Sequence, residues 1–341
     1  MCVLDRGELG GGTSNVGAGM LAPIAEADPG ERALLALGME SARRWPAFAD
    51  ELRDVSGIDV NYRRCGTLVV ARDRDEAEAL DRERELRERL GLRVERLLPS
   101  AARRLEPALA PTLRAALDVP DDHAVDPRLV CAALAVAAER AGVALRPGVE
   151  VRDLDDLDAA QVVVAAGPWS GAFGDEARVR PVKGQTLRLR DPAHRPRGLL
   201  DRVVRWGPPT PGYLVPRGDG RYVLGATVEE RGFDTAMTAG GVHELLRDAS
   251  ELVPGVLELE IEEALAGLRP GTPDNAPVLG RSPTDPRVVW ATGHYRNGIL
   301  LTPVTADAVA AIVAGDEPPA AVAPFAPGRF ARAPKLAGST A

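Results

Sequence analysis

Cysteine and histidine are scarce in this chain. Its 341 residues include three cysteines, Cys2, Cys65 and Cys131, and only four histidines. The cysteines are odd in number and follow no motif spacing, which favours a cytoplasmic protein with structural thiols over a disulfide-bonded secreted one. The histidines are scattered along the chain, so the sequence predicts no metal site built from them.

The chain also lacks an excess of positive charge and any long apolar run. Its 42 Lys and Arg residues against 50 Asp and Glu residues give a net charge of −8, whereas a nucleic-acid-binding surface requires a basic face. No apolar stretch approaches the ~20 residues of a membrane-spanning helix, and no signal peptide is recognisable. We therefore expect neither nucleic acid nor membrane as a partner. The length allows about two globular domains.

A glycine-rich phosphate-binding turn is a third missing feature. The chain begins Met-Cys-Val-Leu-Asp-Arg-Gly (1–7), which reads as a short apolar strand that ends in an acid. In a dinucleotide-binding fold such an acid closes the second strand and binds a ribose hydroxyl. A Gly-x-Gly-x-x-Gly turn should precede that acid by roughly 20 residues. Either the fold is a different one, or the first βα unit is encoded upstream of a start codon placed too far downstream, which is the interpretation we expect.

Helical and strand-like patterns alternate along the rest of the chain. Glycine-rich residues 10–20 are expected to form a loop, and the apolar run 161–167 is typical of a buried parallel strand. Helices are expected at residues 29–55, 73–90, 126–141, 241–252 and 299–314. Strands are expected at residues 59–71, 179–190, 202–206, 213–215, 222–226 and 258–265, with a pair of short strands at 143–151.

This order predicts an α/β plus α+β fold. A parallel-sheet domain is interleaved with an antiparallel-sheet domain, and the chain crosses between them more than once. We expect the first domain at residues 1–58, 126–178 and 266–330, and the second at residues 59–125 and 179–265. Residues 331–341, in a tail rich in proline and alanine, are expected to be disordered.

Two arginines are expected in Gly/Pro turns that strands lead into. Arg269 lies in Gly-Leu-Arg-Pro-Gly-Thr (267–272), and Arg296 lies in Gly-His-Tyr-Arg-Asn-Gly (293–298). A planar guanidinium on a rigid turn suits the bidentate binding of a carboxylate. The second turn is expected to open the helix at residues 299–314, whose N-terminus favours a second electron-rich group.

Four motifs in this order resemble the FAD-dependent amino-acid oxidases of the D-amino-acid oxidase type, most closely the bacterial glycine oxidases of thiamine biosynthesis. They are Asp-Arg-Gly (5–7) with Gly-Gly-Thr-Ser-Asn-Val-Gly-Ala-Gly-Met-Leu (11–21); Val-Val-Ala-Ala-Gly-Pro-Trp-Ser (163–170); Arg-Pro-Val-Lys-Gly-Gln (180–185) with Tyr-Leu-Val-Pro-Arg (213–217) and Gly-Ala-Thr (225–227); and the two arginine turns. The resemblance implies a Rossmann-like FAD-binding domain that lacks its first strand and glycine-rich turn, interleaved with an antiparallel-sheet substrate domain.

The resemblance also implies roles for individual residues. Arg269 is expected to bind the substrate carboxylate and Tyr213 to donate its hydroxyl to the same group, although Tyr213 also reads as an ordinary sheet tyrosine. Arg296 is expected to face the substrate or its entrance as well as the flavin. The expected FAD contacts are Asp5 and the Arg6 backbone at the ribose; Thr13 and Ser14; Ala18, Gly19 and Met20 under the flavin; the Val149 backbone at the adenine; Gly167; and His294, Tyr295, Arg296, Asn297, Gly298, Ile299 and Leu300 around the flavin pyrimidine.

The implied chemistry is oxidation of glycine or a similar small amino acid. The flavin takes a hydride from Cα, the imine hydrolyses to a 2-oxo acid and ammonia, and oxygen is reduced to peroxide. No dedicated acid–base residue is expected if the amine arrives neutral. The alternatives are a non-catalytic fragment of the same fold, or an oxidase or dehydrogenase of sarcosine or D-amino acids. Oligomeric state, including a possible homo-oligomer, stays open.

Overall fold

The computed structural model describes residues 1–193, 198–208 and 210–330, so the predicted disordered tail lies outside the described residues. The helices of the described residues are α1 (Thr13–Val16), α2 (Arg32–Ser56), α3 (Arg74–Arg89), α4 (Pro99–Leu105), α5 (Pro127–Arg140), α6 (Ala239–Leu252) and α7 (Thr302–Ala314). Their strands are β1 (Cys2–Asp5), β2 (Met20–Leu21), β3 (Thr67–Ala71), β4 (Glu95–Leu97), β5 (Ala115–Val119), β6 (His123–Ala124), β7 (Ala144–Pro147), β8 (Val162–Val164), β9 (Arg180–Arg190), β10 (Val203–Trp206), β11 (Gly212–Pro216), β12 (Arg221–Gly225), β13 (Glu260–Gly271), β14 (Val278–Arg281) and β15 (Val288–Thr292).

An eight-stranded sheet dominates the fold, in the order β13-β9-β12-β11-β10-β3-β5-β4. All neighbours are antiparallel except β10 and β3, which are parallel. Side chains alternate between the two faces of a strand. On β10 and β11, Val204, Trp206 and Leu214 therefore pack with α6 in one core, while Val203 and Tyr213 lie on the other face with Met20. The glycine-rich N-terminal segment is thereby placed against the Tyr213 face of the sheet.

The other parallel pairs lie in two smaller sheets. Strand β1 pairs with β7, and β8 pairs with β15, which is antiparallel to β14. Helices α2, α5 and α7 share one apolar core that includes Trp45, Val130 and Val304. The α/β plus α+β arrangement predicted from the sequence is thus observed. No helix among the described residues is both long and apolar enough to cross a membrane.

Several element boundaries differ from the predictions because turns interrupt the strand pattern. The strand expected at 59–71 covers only Thr67–Ala71, since the Asn61 backbone is left-handed and its N–H donates to the Asp59 carboxylate. The strand pair expected at 143–151 is a single strand, Ala144–Pro147, that ends at the left-handed Gly148.

Three other predictions were wrong in detail. Residues 10–20 are not entirely loop, because α1 and the start of β2 lie within them. The strand expected at 161–167 is shorter, Val162–Val164, and its Val163 is 39% exposed rather than buried. Helix α7 begins at Thr302 and not at Ile299, since residues before it form hydrogen-bonded turns such as Leu301 N–H to Asn297 O.

Candidate active site

Arg269 lies within β13, beside Val182 of β9, and not in a turn as predicted. Its Nη1 donates to the carbonyls of Lys183 (3.2 Å) and Thr227 (3.1 Å). A Cβ built on Gly184 would lie only 2.3 Å from Nη1 and 2.4 Å from Nη2, so the guanidinium lies flat against the glycine backbone. With the Nη1 protons directed to main-chain carbonyls, Nε and Nη2 are the donors that remain for a neighbouring hydroxyl or a ligand carboxylate.

Tyr213 is brought next to Arg269, as the resemblance implied. It lies on β11 opposite Gly225 of β12, and a Cβ on that glycine would be 2.6 Å from the tyrosine hydroxyl. Burial raises the pKa of Tyr213, while the charge of Arg269 and a hydrogen bond with it act in the opposite direction. The phenol therefore stays protonated at neutral pH and keeps a proton to donate.

Two charged residues that the sequence analysis did not select adjoin this pair. Arg205 is the cross-strand neighbour of Tyr213, and its Nη2 lies 3.6 Å from Glu26 Oε1. Glu26 also acts electrostatically on the Tyr213 hydroxyl. The period-two alternation that puts Tyr213 on this face of the sheet puts Arg205 there too, so Arg205 could have been found once the strands were paired. Glu26 lies in a turn and carries no such signal.

The turn that holds Glu26 is fixed by buried charges. Asp122 is fully buried and accepts hydrogen bonds from the N–H groups of Ile24 (3.1 Å) and Ala25 (2.9 Å). Arg87, 1% exposed, donates to the carbonyls of the same two residues. Burial raises the pKa of Asp122 to about 7, despite the two N–H groups that favour its charged form. Arg87 lies on α3, so its buried guanidinium ties that helix to the turn.

The glycine-rich N-terminal segment packs against the strand that carries Arg269. The Thr13 hydroxyl donates to the carbonyl of Leu268 at 2.6 Å, so it is used inside the protein. Ser14 lies beside the Cys131 thiol. Burial raises the pKa of that thiol, and a hydrogen bond with Ser14 acts in the opposite direction. Gly19 is left-handed, and a Cβ there would lie 2.1 Å from the Val125 carbonyl. Ala18 is buried, and Met20 pairs with Ala124.

The turn of residues 293–301 also reaches the Arg269 strand. The N–H of Tyr295, whose φ is 46°, donates to the carbonyl of Pro270 at 3.0 Å. His294 Nε2 lies 3.0 Å from Thr305 Oγ1, and burial lowers the pKa of His294 to about 4, so the imidazole is neutral at pH 7. The carbonyl of Leu300 accepts hydrogen bonds from Ser41 Oγ (2.6 Å) and Trp45 Nε1 (2.9 Å) on α2.

Within the same turn, the side chain of Arg296 is exposed. Its guanidinium lies 5.1 Å from the centre of the Tyr295 ring. With Asn297, it lines a cleft whose other wall contains Glu26, Asp28 and Glu31. Gly298 is exposed, and Ile299 is half-buried and lies near Gly17. An entrance position therefore fits Arg296 better than a direct substrate contact.

The residues expected at the adenosine end form a second group. The Asp5 carboxylate accepts the N–H of Gly7 at 2.8 Å, and the Val149 N–H donates to the Asp5 carbonyl at 2.9 Å. The Val149 amide is therefore used within the protein, and its carbonyl is the group that can face an adenine. The Arg6 guanidinium lies 3.7 Å from the centre of the Trp169 ring. The side chain of Arg6, and not only its backbone, therefore belongs to this group of residues.

Glycines near these positions leave open space beside the main chain for a large cofactor. A Cβ built on Gly12, Gly148 or Gly167 would meet no protein atom within 4 Å, so backbone groups there are accessible to a ligand. The Gly167 carbonyl accepts a hydrogen bond from Thr292 Oγ1 at 3.2 Å, which ties the segment after β8 to the last residue of β15. A carboxylate suited to ribose hydroxyls, a neutral imidazole and several glycines with open space beside them together fit a binding site for FAD.

Comparisons with known proteins agree with this assignment. The family model for FAD-dependent oxidoreductases of the DAO type matches residues 1–312. Glycine oxidase from Geobacillus kaustophilus is 35% identical over 343 residues, covering 95% of this chain and 89% of the relative. The bifunctional protein ThiO/ThiG of Synechocystis is 34% identical, covering 96% of this chain and 50% of the relative.

Solved structures lead to the same family. The crystal structure of the Geobacillus kaustophilus glycine oxidase superposes with a TM-score of 0.89 at 34% identity, covering 96% of this chain and 91% of that one. Iminodiacetate oxidase from Chelativorans superposes with a TM-score of 0.82 at 28% identity, covering 95% of this chain and 91% of that one. The chain belongs to the DAO family of FAD-dependent oxidoreductases, and FAD is its cofactor. The resemblance inferred from the sequence is confirmed.

Proposed function

We propose that this protein oxidises glycine or a similar small amino acid, forming a 2-oxo acid, ammonia and hydrogen peroxide, and that the reaction supplies thiazole synthesis for thiamine. The observation that carries the proposal is the anchored guanidinium of Arg269 beside the Tyr213 hydroxyl. A fork fixed by two carbonyls and a neutral phenol together form a preorganised carboxylate site. The relatives named glycine oxidase and ThiO/ThiG support the substrate and the pathway.

The same proposal assigns the cofactor contacts. Segments 1–58, 126–178 and 266–330 would hold FAD, and segments 59–125 and 179–265 would build the sheet that binds the substrate. The proposed cofactor-binding residues are Asp5, Arg6, Thr13, Ser14, Ala18, Gly19, Met20, Val149, Gly167, His294, Tyr295, Arg296, Asn297, Gly298, Ile299 and Leu300. Thr13 and Val149 would contribute only through the atoms that are not bonded within the protein.

Bound FAD supplies a two-electron acceptor for the substrate Cα–H bond. The chain's own part is to orient the amino acid: Arg269 and Tyr213 hold the carboxylate, and this orientation fixes the direction of Cα. His294 is a poor base for the substrate ammonium, because burial lowers its pKa to about 4. The amino acid would therefore need to lose its ammonium proton before or during binding, since an ammonium has no lone pair to stabilise the cation that develops.

Anaerobic reduction of the FAD-loaded protein tests the proposal directly. Glycine should bleach the flavin absorption, and admission of oxygen should restore it with formation of peroxide. Sarcosine, iminodiacetate and D-alanine tested in parallel separate the related activities. A loaded protein that no amino acid reduces would instead be a non-catalytic member of the family. Flavin that is reduced by glycine but not reoxidised by oxygen would indicate a dehydrogenase.

Replacement of Arg269 tests the assignment of the carboxylate site. Arg269→Lys keeps the charge but loses the planar fork, so at least one of two hydrogen bonds to the carboxylate is lost. We expect the KM for glycine to rise at least about tenfold, the equivalent of ~1.4 kcal/mol. Arg43→Lys is the matched control, because this exposed arginine on α2 pairs with Glu40 and is not among the proposed cofactor or substrate residues. A KM that responds to Arg296→Lys and not to Arg269→Lys would reverse the two assignments.

A further inference from the structure

A fully buried lysine belongs to the same structural unit as the Arg269 guanidinium. Lys183, on β9, is 0% exposed. Its Nζ lies 2.7 Å from Asp234 Oδ2 and 3.8 Å from Glu229 Oε2. An ammonium removed from water is stable only when such partners replace its hydration. The segment that carries both acids is therefore held onto β9 by one buried cation.

The main chain of Lys183 holds Arg269 directly. Lys183 and Glu229 form an antiparallel bridge in which the N–H of each donates to the carbonyl of the other, at 2.9 and 3.0 Å. The Lys183 carbonyl also accepts from Arg269 Nη1, as does the carbonyl of Thr227, two residues before Glu229. The direction of the guanidinium thus depends on how residues 227–229 dock on β9.

Side chains of the Arg-Pro-Val-Lys-Gly-Gln and Gly-Ala-Thr motifs complete this arrangement. Gln185 Nε2 donates to Glu229 Oε1 at 2.8 Å, and Thr227 Oγ1 donates to the same oxygen at 2.6 Å. The Gln185 N–H donates to Thr227 Oγ1 at 2.9 Å. Burial disfavours the charged form of Glu229, but these two side-chain hydrogen bonds, together with the charges of Lys183 and Arg231, lower its pKa, so a carboxylate faces Lys183.

We propose that Lys183 is a positioning residue for substrate binding: through Glu229 and Asp234, its ammonium fixes the two carbonyls that direct the Arg269 guanidinium. The inference rests on the proposed function, in which Arg269 binds the carboxylate of an amino acid. Lys183 acts through Arg269 and has no role in the chemical step. Loss of its charge would leave Arg269 charged but less well directed.

The test is Lys183→Met in the FAD-loaded enzyme, with acetate as the probe. Acetate carries the carboxylate and no amine, and its binding is followed by the change in flavin absorption. We expect acetate affinity to fall and the KM for glycine to rise by about five- to tenfold, the loss of about one hydrogen bond, with kcat at saturating glycine nearly retained. Asp234→Asn, at a side chain that is 47% exposed, should act in the same direction with a smaller effect.

Two controls separate positioning from general stability. Glu106 is another buried charged residue, 2% exposed, which accepts the N–H groups of Asp201 and Arg202 and is not among the partners of Arg269. Glu106→Gln should lower the melting temperature and leave acetate affinity unchanged. In an Arg269→Lys background, Lys183→Met should weaken acetate binding little further, because the group it directs is already gone.

Three outcomes would overturn the proposal. The first is unchanged acetate affinity in folded Lys183→Met, or in Asp234→Asn if Lys183→Met does not fold. The second is that the losses of acetate affinity in Arg269→Lys and Lys183→Met add up in the double variant. The third is a loss of acetate affinity in Glu106→Gln equal to that in Lys183→Met. If no amino acid reduces the flavin while acetate binding still depends on Lys183, the proposed function fails and the positioning role stands.

Discussion

A single methyl group at Gly184 should displace the guanidinium of Arg269, the proposed substrate-binding group, without changing its charge. In Gly184→Ala, the new Cβ would lie 2.3 Å from Arg269 Nη1, 2.4 Å from Nη2 and 2.6 Å from Cζ. Such separations are below any real carbon contact, and the side chain cannot relax freely because Nη1 is bonded to the carbonyls of Lys183 and Thr227. The backbone of Gly184 is not left-handed, so alanine can adopt its backbone conformation and the clash with Arg269 is the expected source of the effect.

The size of the effect follows from the displacement. An ordinary contact to a Cβ is 3.4 Å or more, so the guanidinium must move by about 1 Å, and a misplacement of that size can cost about 10²-fold in rate. We expect kcat/KM for glycine to fall by about 10- to 100-fold in Gly184→Ala. Arg269→Lys, by contrast, removes the planar guanidinium but does not fill the space beside Gly184.

The assay is steady-state oxidation of glycine by FAD-loaded protein, with flavin content and melting temperature measured for each variant. Gly240→Ala on α6 is the matched control, because a Cβ there meets no atom within 4 Å. Its kcat/KM should equal that of the unmodified protein. A folded, flavin-loaded Gly184→Ala with unchanged kcat/KM would refute the idea that the guanidinium is held flat on β9.

Two further predictions concern pH. Flavin reduction at saturating glycine should rise with pH as the substrate amine loses its proton, and a rate that stays flat from pH 6 to pH 10 would reveal an internal base that the site description lacks. Because of Asp122, the free energy of unfolding should fall as pH rises. Burial raises the native pKa of Asp122 to about 7, above the usual 3.8, so its contribution to stability is complete below pH 3.8 and is lost as pH rises through 7. The free energy of unfolding should change by at most ~1.4 kcal/mol per pH unit. Urea unfolding of Asp122→Asn should show this pH dependence reduced, and an unchanged pH dependence would mean that Asp122 is ionised throughout.

The residues that could be predicted from the sequence are those marked by local pattern or by the family motifs. Helix α5 begins where Asp126-Pro127 predicted it, since the Asp126 carboxylate caps the N–H of Arg128. Strands β9 to β12 follow the alternation between Gly/Pro turns. The family motifs led us to expect Arg269 and Tyr213 together, and the structure places them side by side, while their role in binding a carboxylate stays a prediction.

The misplacement of Arg269 has a physical cause, which is that long-range contacts outweighed the local signals. Arg269 was assigned to a turn because Pro270 and Gly271 follow it, yet both belong to β13. Strand β9 pairs along this whole stretch and reaches the register Gly271 to Arg180. A proline is tolerated there because β13 is the edge strand of its sheet. The sequence alone does not reveal which strand is at the edge.

The position of Arg269 in a strand changes what can direct it. A guanidinium on a turn is positioned by contacts within its own loop, whereas the guanidinium of a residue on β13 is positioned by contacts with the neighbouring strand β9. The two carbonyls that hold it come from residues 86 and 42 positions away in the chain. One of those carbonyls belongs to Lys183 and the other to a segment that the same lysine anchors. The Arg-Pro-Val-Lys-Gly-Gln motif can therefore be understood as the support of the proposed carboxylate site: Gly184 makes room for the guanidinium, and Lys183 and Gln185 on either side hold the segment that directs it.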